Sequence, residues 1–454
     1  MRARVWSFAL QWSRVGIGAI LFLIAARYLS LIEIGLFATA FAPIRLTQGL
    51  HKAGIADTVI LFGHRHQRLD ALFALSLMLG LGIGALLLIT GLMFRAPILM
   101  ALAVIPVLNG VSAVSEGLLR REMALRNLAL RTITTQTLAA GLALTLLTFG
   151  LGVWALVGFA VLNAGLNCAL SLMLARWAPK GRARWRALRL ILGKTSQIAA
   201  RDLLSSALIP LAQLAVGLCL GMSAAGAFQI ATRILSLIDA LAIAPLRFIA
   251  LPQLRRDTGA AFFQTLQDQL RLTSDISIWI WAGTFATAPT VLTLAVGADH
   301  ARNAAPILEA LVLFGLTGAL LMPFNQALTA QGHTRLVLLR AALLLGLATL
   351  LAAPMLTISA TSTASALSAA AVLNGIWYLS RALPRLDMVT SDLTALARPL
   401  FAGALMATVL IMTSDMFAGL TAIPAFLTQV VFGTVLYTVC LALMRWRKPQ
   451  RLNA

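Results

Sequence analysis

The stretch Arg27-Tyr-Leu-Ser-Leu-Ile-Glu-Ile-Gly-Leu-Phe-Ala-Thr-Ala-Phe-Ala-Pro-Ile-Arg45 joins two long apolar runs across a very short polar break. The first run extends from about Trp6 to Leu29, and the second extends from Ile34 to about Leu50. At about 1.5 Å per residue, each run is long enough to cross about 30 Å of hydrocarbon. The pattern therefore predicts a membrane hairpin.

The whole chain has the same apolar character. Of its 454 residues, 60% are hydrophobic and only 11% are charged, and the mean hydropathy is +0.90. Because each backbone donor in lipid must be satisfied within the protein, this composition predicts an all-α polytopic membrane protein. The alternating strands of an outer-membrane barrel are absent from the sequence. The three cysteines are scattered within apolar runs, so we expect neither a disulfide framework nor a metal site, and no cofactor.

The basic residues lie mainly between apolar runs. In a soluble protein the net charge of +21 would indicate nucleic-acid binding, but here the charges occupy alternate loops and follow the positive-inside rule. We expect a bacterial inner-membrane protein with both termini in the cytoplasm and no nucleic-acid partner. The hairpin and twelve further runs predict fourteen spans. The twelve are expected at 70–94, 97–118, 127–149, 153–176, 196–220, 223–250, 274–296, 304–330, 335–356, 363–383, 399–416 and 421–445.

A strongly cationic connection at 177–195 divides the chain. Past it, the opening hairpin recurs with four identical residues, each 191 positions later. The matched pairs are Leu29 and Leu220, Gly35 and Gly226, Phe37 and Phe228, and Ala40 and Ala231. Equal orientation of the two hairpins predicts a parallel repeat about a pseudo-two-fold axis along the membrane normal. The expected domains are a six-helix lobe at 1–176, the cytoplasmic linker at 177–195, a second six-helix lobe at 196–383, and two additional spans with a cytoplasmic tail at 384–454.

Arg45 is the anomaly in the hairpin. It lies ten residues beyond Gly35, or about 15 Å along a helix, and so near the bilayer midplane. A charge at that depth is costly and usually faces a bundle interior or a wet cavity. Arg45 shares one helical stripe with Gln48 and Lys52. The alternative is a structural arginine that binds backbone carbonyls.

Other charges also fall inside predicted spans. Arg14 lies in the first span, and Arg233 lies about 10 Å inside Gly226 in the second hairpin. Arg201 and Asp202 are adjacent in the seventh span, where they either pair with each other or contact a substrate. The substrate-binding candidates are Arg14, Arg45, Lys52, Arg201 and Arg233. The candidate ion-coupling or proton sites are Asp57, Asp202 and Asp239.

Five degenerate motifs, in a fairly specific order and spacing, resemble the bacterial polysaccharide flippases of the Wzx type. These flippases belong to the MOP superfamily, which contains lipid II flippases and MATE exporters. The motifs lie at 26–38, 117–126, 152–157, 224–235 and 327–335. The resemblance covers the first span to about residue 383. One departure is Ser30-Leu-Ile in place of the commoner Gly-Pro-Glu type of turn, which predicts a looser outer hairpin tip.

The resemblance implies two lobes that face a central cavity lined by spans one, two, seven and eight, with alternating access to the two leaflets. By position, Arg14, Arg45 and Arg233 match arginines that meet the lipid-linked pyrophosphate in the lipid II relatives. It also implies a lipid-linked oligosaccharide as the membrane-embedded substrate. A polysaccharide polymerase and its chain-length machinery are the expected partners.

Three functions are compatible with these observations. The leading hypothesis is a flippase, not an enzyme, that moves a polyprenyl-pyrophosphate-linked oligosaccharide from the inner to the outer leaflet for exopolysaccharide or O-antigen biosynthesis. Arginine suits that role because its fork matches phosphate oxygens. An ion-coupled MATE-like exporter would more naturally show carboxylates in its cavity. A membrane polymerase or ligase usually needs a sizeable outer loop, and the expected outer loops are short.

Overall fold

The protein is described by a computed structural model that covers residues 16–62, 66–122, 125–180, 203–204, 206–389, 394, 396–417 and 421–446. Almost all of these residues are helical, and no strand occurs among them. The chain divides into two compact units, Met1–Gln229 and Ile230–Ala454. The expected all-α fold is confirmed, whereas the domain limits near 177–195 and 384 and the number of helices in each lobe stay predictions.

The first unit contains nine helices among the described residues and the start of a tenth. They are α1 (Gly16–Ala26), α2 (Leu31–Gly49), α3 (Ala56–Phe62), α4 (His66–Met93), α5 (Pro97–Leu102), α6 (Val104–Arg121), α7 (Leu125–Thr148), α8 (Trp154–Ala175), α9 (Leu208–Cys219) and the start of α10 (Met222–Ile238). A π-helical segment, Leu50–Ile55, connects α2 to α3. Helix α4 packs against α6, α7 packs against α8, and α9 packs against α2. The core between them includes Ile44, Leu72 and Val114.

A capping box closes the tip of the first hairpin. The backbone N–H of Glu33 donates to the Ser30 hydroxyl oxygen at 3.3 Å, and the Ser30 N–H donates to the Glu33 carboxylate at 2.9 Å. These reciprocal bonds satisfy two of the otherwise unpaired donors at the start of α2. The first residue of α2 is therefore well defined, whereas the expectation of a tip looser than the family's turn stays a prediction. Ser30-Leu-Ile-Glu33 is itself the sequence signature of this cap, and it fixes the first residue of α2.

Helices α2 and α10 cross in direct backbone contact near their first turns. A Cβ atom placed on Gly35 would lie 1.7 Å from the carbonyl oxygen of Met222. A Cβ atom on Gly226 would lie 2.0 Å from the carbonyl oxygen of Leu31. The two contacts are equivalent in the repeat, since 191 residues separate Leu31 from Met222 and Gly35 from Gly226. Only glycine permits this approach, because any side chain would overlap the facing backbone.

The second unit holds the rest of α10 and nine further helices among the described residues. They are α11 (Ala244–Arg256), α12 (Ala260–Val296), α13 (Ala298–Leu320), α14 (Met322–Ala330), α15 (Thr334–Met355), α16 (Ala360–Ala382), α17 (Ala397–Met412), α18 (Ser414–Phe417) and α19 (Ala422–Trp446). A second π-helical segment, Asp239–Ile243, connects α10 to α11. Helix α13 packs against α12 and α16, and α17 packs against α12 and α19.

Where the structure describes them, helices occupy the positions expected for the spans, but several spans are interrupted or longer than expected. The fourth span is broken at Ala103 into α5 and α6, the eighth is interrupted by the π-helical segment Asp239–Ile243, and the tenth is broken at Leu321 into α13 and α14. The ninth was expected from 274, but α12 begins at Ala260, because a polar first portion of this helix precedes its apolar run. Among the described residues, eight helices or helix pairs combine the length and apolarity needed to cross a bilayer. The full count of fourteen crossings stays a prediction.

Candidate functional site

Arg45 lies on α2, two residues after Pro43 and next to the fully buried Ile44. The arginine itself is partly buried. No described residue forms a hydrogen bond or an ion pair with its guanidinium group. A cation at this depth without a protein counter-charge is expensive to maintain, and such groups commonly mark substrate or ion pathways. Its role as a substrate-binding residue stays a prediction.

The π-helical segment Leu50–Ile55 begins five residues after Arg45. Segments of this kind are rare and occur frequently at functional sites. The wider turn also changes the helical spacing, so the expected polar stripe follows α-helical spacing through Gln48 but not to Lys52. The backbone of Lys52 is described, but its side chain is not. The segment is well packed, since His51 and Ile55 are both buried.

Arg233 occupies the corresponding second hairpin, on the portion of α10 that belongs to the second unit. It is partly buried on α10 between the buried Thr232 and Ile234, and its carbonyl oxygen accepts the Ser236 hydroxyl at 2.8 Å. A π-helical segment again follows, beginning six residues later at Asp239. The two hairpins thus share an arginine followed by a π-helical segment, in addition to the four residue identities. Because Arg45 and Arg233 belong to different units, their joint action stays a prediction.

Two of the three candidate ion-coupling carboxylates are paired with arginines. Asp57 lies 3.6 Å from Arg120, and Asp239 lies 3.2 Å from Arg247. The two carboxylates are partly exposed, with 44% of the Asp57 side chain and 42% of the Asp239 side chain accessible. Arg14, Arg201 and Asp202 lie outside the described residues, so their expected roles stay predictions.

The sequence reasoning missed a buried charged cluster in the first unit. Glu116 on α6 is 8% exposed and Arg131 on α7 is 5% exposed, and their charged groups lie 3.8 Å apart. Arg131 also donates to the Ser171 hydroxyl on α8 at 2.6 Å, and Arg120 donates to Glu116 at 2.5 Å. The cluster connects three helices. The sequence did contain a signal for this cluster, because Glu116 and Arg131 each place a charge inside one of two neighbouring predicted spans.

Glu116→Gln should strongly destabilise the protein, because it leaves Arg131 buried without its carboxylate. Breaking a buried ion pair from one side typically costs about 3–5 kcal/mol. Asp57→Asn is the matched control, since Asp57 also contacts Arg120 but is 44% exposed, and exposed pairs contribute about 0–1 kcal/mol. Thermal unfolding of the purified proteins in detergent measures the difference. Equal melting temperatures for the two variants would contradict a structural role for the buried pair.

Glu309 is a second charge that the sequence reasoning missed. It lies eleven residues after Ala298 on α13, or about 16 Å along the helix, and so near the middle of the span. The residue is partly buried, and no described residue forms a hydrogen bond with its carboxyl group. A carboxyl group at this depth is a functional candidate by the same argument as Arg45.

The second unit contains an apolar cavity of about 320 Å³. Helices α10, α12, α17 and α19 line it, with Ile238, Trp279, Met406 and Val430 among the contacts. Its threonines present methyl groups rather than hydroxyls, because their hydroxyls donate to backbone carbonyls of their own helices. These threonines are Thr284, Thr287 and Thr434. The cavity suits a hydrocarbon chain better than a polar solute.

Comparison with solved structures identifies the fold. The chain matches the lipid II flippase MurJ in an inward closed conformation with a TM-score of 0.76 at 13% identity, covering 97% of this chain and 98% of that one. A MOP-superfamily transporter from Pyrococcus furiosus matches with a TM-score of 0.60 at 17% identity, and the match covers 85% of this chain and 95% of that one. An inward-facing MATE-family multidrug transporter matches with a TM-score of 0.55 at 17% identity over the same shares. The fold is therefore that of MOP-superfamily transporters, and the protein is a multi-pass membrane protein.

The family follows from a separate comparison. Residues 24–304 match the model of a family described as polysaccharide biosynthesis protein. The chain belongs to this family, which confirms the resemblance drawn from the motifs. No curated protein sequence matches the chain.

Proposed function

We propose that the protein is a flippase that moves a polyprenyl-pyrophosphate-linked oligosaccharide from the inner to the outer leaflet of the bacterial inner membrane, with both termini in the cytoplasm. The observation that carries the proposal is Arg45, a cation near mid-bilayer with no counter-charge among the described residues. A pyrophosphate would supply that counter-charge, and the guanidinium fork matches its oxygens. Membership of the polysaccharide biosynthesis family and the transporter fold support the same substrate class.

The apolar cavity of the second unit supports the lipid part of the substrate. A polyprenyl tail must remain in an apolar environment while its head group crosses, and the residues that line this open cavity offer one. Gln429 also belongs to the lining, and its buried Oε1 has no hydrogen-bond partner among the described residues. The other lining side chains are apolar or are threonines whose hydroxyls donate within their own helices, so the cavity suits hydrocarbon better than a charged group.

Gly283→Phe should reduce transport by filling this cavity. The nearest atom to a Cβ on Gly283 is the terminal carbon of Met406 at 3.8 Å, so the side chain can enter the cavity without backbone movement. Loss of contact with about two methylene groups corresponds to about 1.6 kcal/mol, or roughly tenfold. We would measure flipping of a long-tailed pyrophosphate lipid in proteoliposomes and compare it with a short-tailed analogue. Gly346→Phe, on the exposed surface of α15 with no atom within 4 Å, is the control. Equal losses for both lipids would contradict the assignment of the cavity to the tail.

Deletion of the gene tests the function directly. The flippase hypothesis expects lipid-linked oligosaccharide to accumulate in the inner leaflet, together with loss of exported polysaccharide. Mass spectrometry of the extracted lipids would identify both the carrier and the sugar. Normal export with no accumulated lipid intermediate would overturn the proposal.

Glu309 favours a second candidate, an ion-coupled exporter of the MATE type, because a mid-span carboxyl group can attract a cation or carry a proton. This function expects resistance to small cationic compounds to fall when the gene is deleted. The same carboxyl group could instead couple lipid transport to an ion gradient. Flipping in proteoliposomes with and without a proton or sodium gradient distinguishes the two, since a drug exporter would leave the lipid unmoved in both.

A further inference from the structure

Besides the hairpins, a second set of helices repeats between the two units. Its members are separated by 207 or 209 residues instead of 191. Helix α6 ends at Arg121 and α14 ends at Ala330, which is 209 residues later. The next helices begin at Leu125 and Thr334, again 209 residues apart. The helices that follow end at Ala175 and Ala382, which are 207 residues apart. Each unit therefore contains the same succession of three helices.

Four polar positions of these helices correspond between the two units. In each pair below, the two residues are separated by the same number of positions as the helices that carry them, which is 209 for the first two pairs and 207 for the last two. The pairs are Glu116 and Asn325, Arg131 and Arg340, Asn167 and Asn374, and Ser171 and Tyr378. The arginine is retained in both units. The carboxylate that neutralises it in the first unit is replaced by a neutral amide in the second.

The cluster of the first unit satisfies its charges internally. Arg131 lies 3.8 Å from Glu116 and donates to Ser171, and Arg120 lies between Glu116 and Asp57. Two arginines therefore meet two carboxylates. The cluster requires no external ion.

The cluster of the second unit does not neutralise its arginine internally. The guanidinium carbon of Arg340 lies 5.2 Å from the ring centroid of Tyr378, and the Tyr378 hydroxyl donates to Asn325 Oδ1 at 2.7 Å. Asn374 is 1% exposed, and its Nδ2 donates to the carbonyl oxygen of Arg340 at 3.2 Å. No carboxylate of the described residues lies within ion-pair distance of Arg340. Its Nε is buried without a hydrogen-bond partner among them, as is the Nε of Arg131, so the difference between the two clusters lies in the missing carboxylate.

The position of Arg340 limits the source of its counter-charge. It lies six residues after Thr334, or about 9 Å along α15, which places it near one end of the span rather than at its centre. The residue keeps partial exposure, so an outside group can reach it. Three exposed arginines lie on the same end of these helices. They are Arg335 on α15, Arg381 on α16 and Arg385 in the following turn.

We propose that Arg340, which the neutral Asn325 leaves without a counter-charge, binds the phosphate group of an anionic membrane lipid. The guanidinium group supplies the charge and the planar donors that a phosphate prefers. Basic pockets between transmembrane helices at the inner interface are sites for anionic head groups. The basic loops predict that this end of α15 faces the inner side of the membrane, where such lipids occur. The site is separate from the proposed transport of oligosaccharide and does not depend on it.

Binding of phosphatidylglycerol to the purified full chain in neutral detergent tests the proposal. Native mass spectrometry should show preference for phosphatidylglycerol over phosphatidylcholine in the wild type, and Arg340→Gln should weaken phosphatidylglycerol binding at least about tenfold. Asn325→Asp should do the same while Arg340 is retained, because it introduces the carboxylate that Glu116 supplies in the first unit. Aspartate has the same shape as asparagine and can still accept the Tyr378 hydroxyl, so the Asn325→Asp protein should fold. This variant therefore tests the proposal even if Arg340→Gln does not fold. Arg302→Gln, an exposed arginine on another helix, should bind as the wild type does.

Three results would overturn the proposal. The first is equal binding of phosphatidylglycerol and phosphatidylcholine by the wild type. The second is unchanged phosphatidylglycerol binding in Asn325→Asp. The third is displacement of the lipid by inorganic phosphate at an equal concentration, which would assign Arg340 to a soluble anion instead of a head group.

Discussion

Arg45→Gln should leave the protein folded and in the membrane but abolish most export of polysaccharide. Because Arg45 has no hydrogen bond or ion pair with a described residue, its removal breaks no described contact. Loss of one charge-assisted contact with a pyrophosphate, about 1.5–3 kcal/mol, should weaken binding roughly 10- to 100-fold. Lipid-linked oligosaccharide should then accumulate in the inner leaflet. Quantification of that lipid and of the membrane-inserted protein in the same cells checks the prediction.

Two comparisons make the Arg45 experiment specific. Arg45→Lys retains the charge without the fork, so it should restore export only in part. Thermal stability separates a binding role from a structural one, because neutralising an uncompensated charge should not lower the melting temperature. If Arg45→Gln lowers the melting temperature and reduces export in proportion, the arginine has a structural role. Export at the wild-type rate would refute the pyrophosphate hypothesis.

Gly35→Ala or Gly226→Ala should separate the first turns of α2 and α10. The added Cβ would overlap a backbone carbonyl, at 1.7 Å from Met222 or 2.0 Å from Leu31, and neither backbone can rotate away as a side chain could. Overpacking of this kind typically costs about 1–3 kcal/mol, so a state that contains this contact should lose roughly 5- to 150-fold in population. A transporter that alternates between states would then favour the one in which these turns are apart.

Cysteine labelling measures this separation. Ile34 is fully buried beside the contact, so a cysteine at this position should react slowly in the parent protein and much faster in either glycine variant. The parent should carry Cys219→Ser, because Cys219 is exposed on α9. Gly165→Ala is the control, since a Cβ at Gly165 meets no atom within 4 Å. Labelling rates that do not differ among the three alanine variants would contradict the contact.

The sequence alone determined the class of protein and the positions of the helices. Hydropathy averages over about twenty residues, so it identifies each apolar run whatever its neighbours are. Arg45 and Arg233 were identifiable for the same reason, because a charge contrasts with an apolar background. The capping box at Ser30 and Glu33 was also recognisable in the sequence. It was overlooked because the turn was compared only with the Gly-Pro-Glu type.

The tertiary structure alone decided which residues of different helices meet. The backbone contact of Gly35 with Met222, the pairing of Glu116 with Arg131 and the apolar cavity all depend on helices distant in sequence. The two π-helical segments were equally hidden, since they arise from packing and not from a residue pattern. The correspondence of Glu116 with Asn325 could be found only by aligning the ends of α6 and α14, because the two residues differ in type and give no match in the sequence. Hydropathy reports how apolar a helix is, whereas its contacts depend on rotation and depth, which only packing against other helices sets.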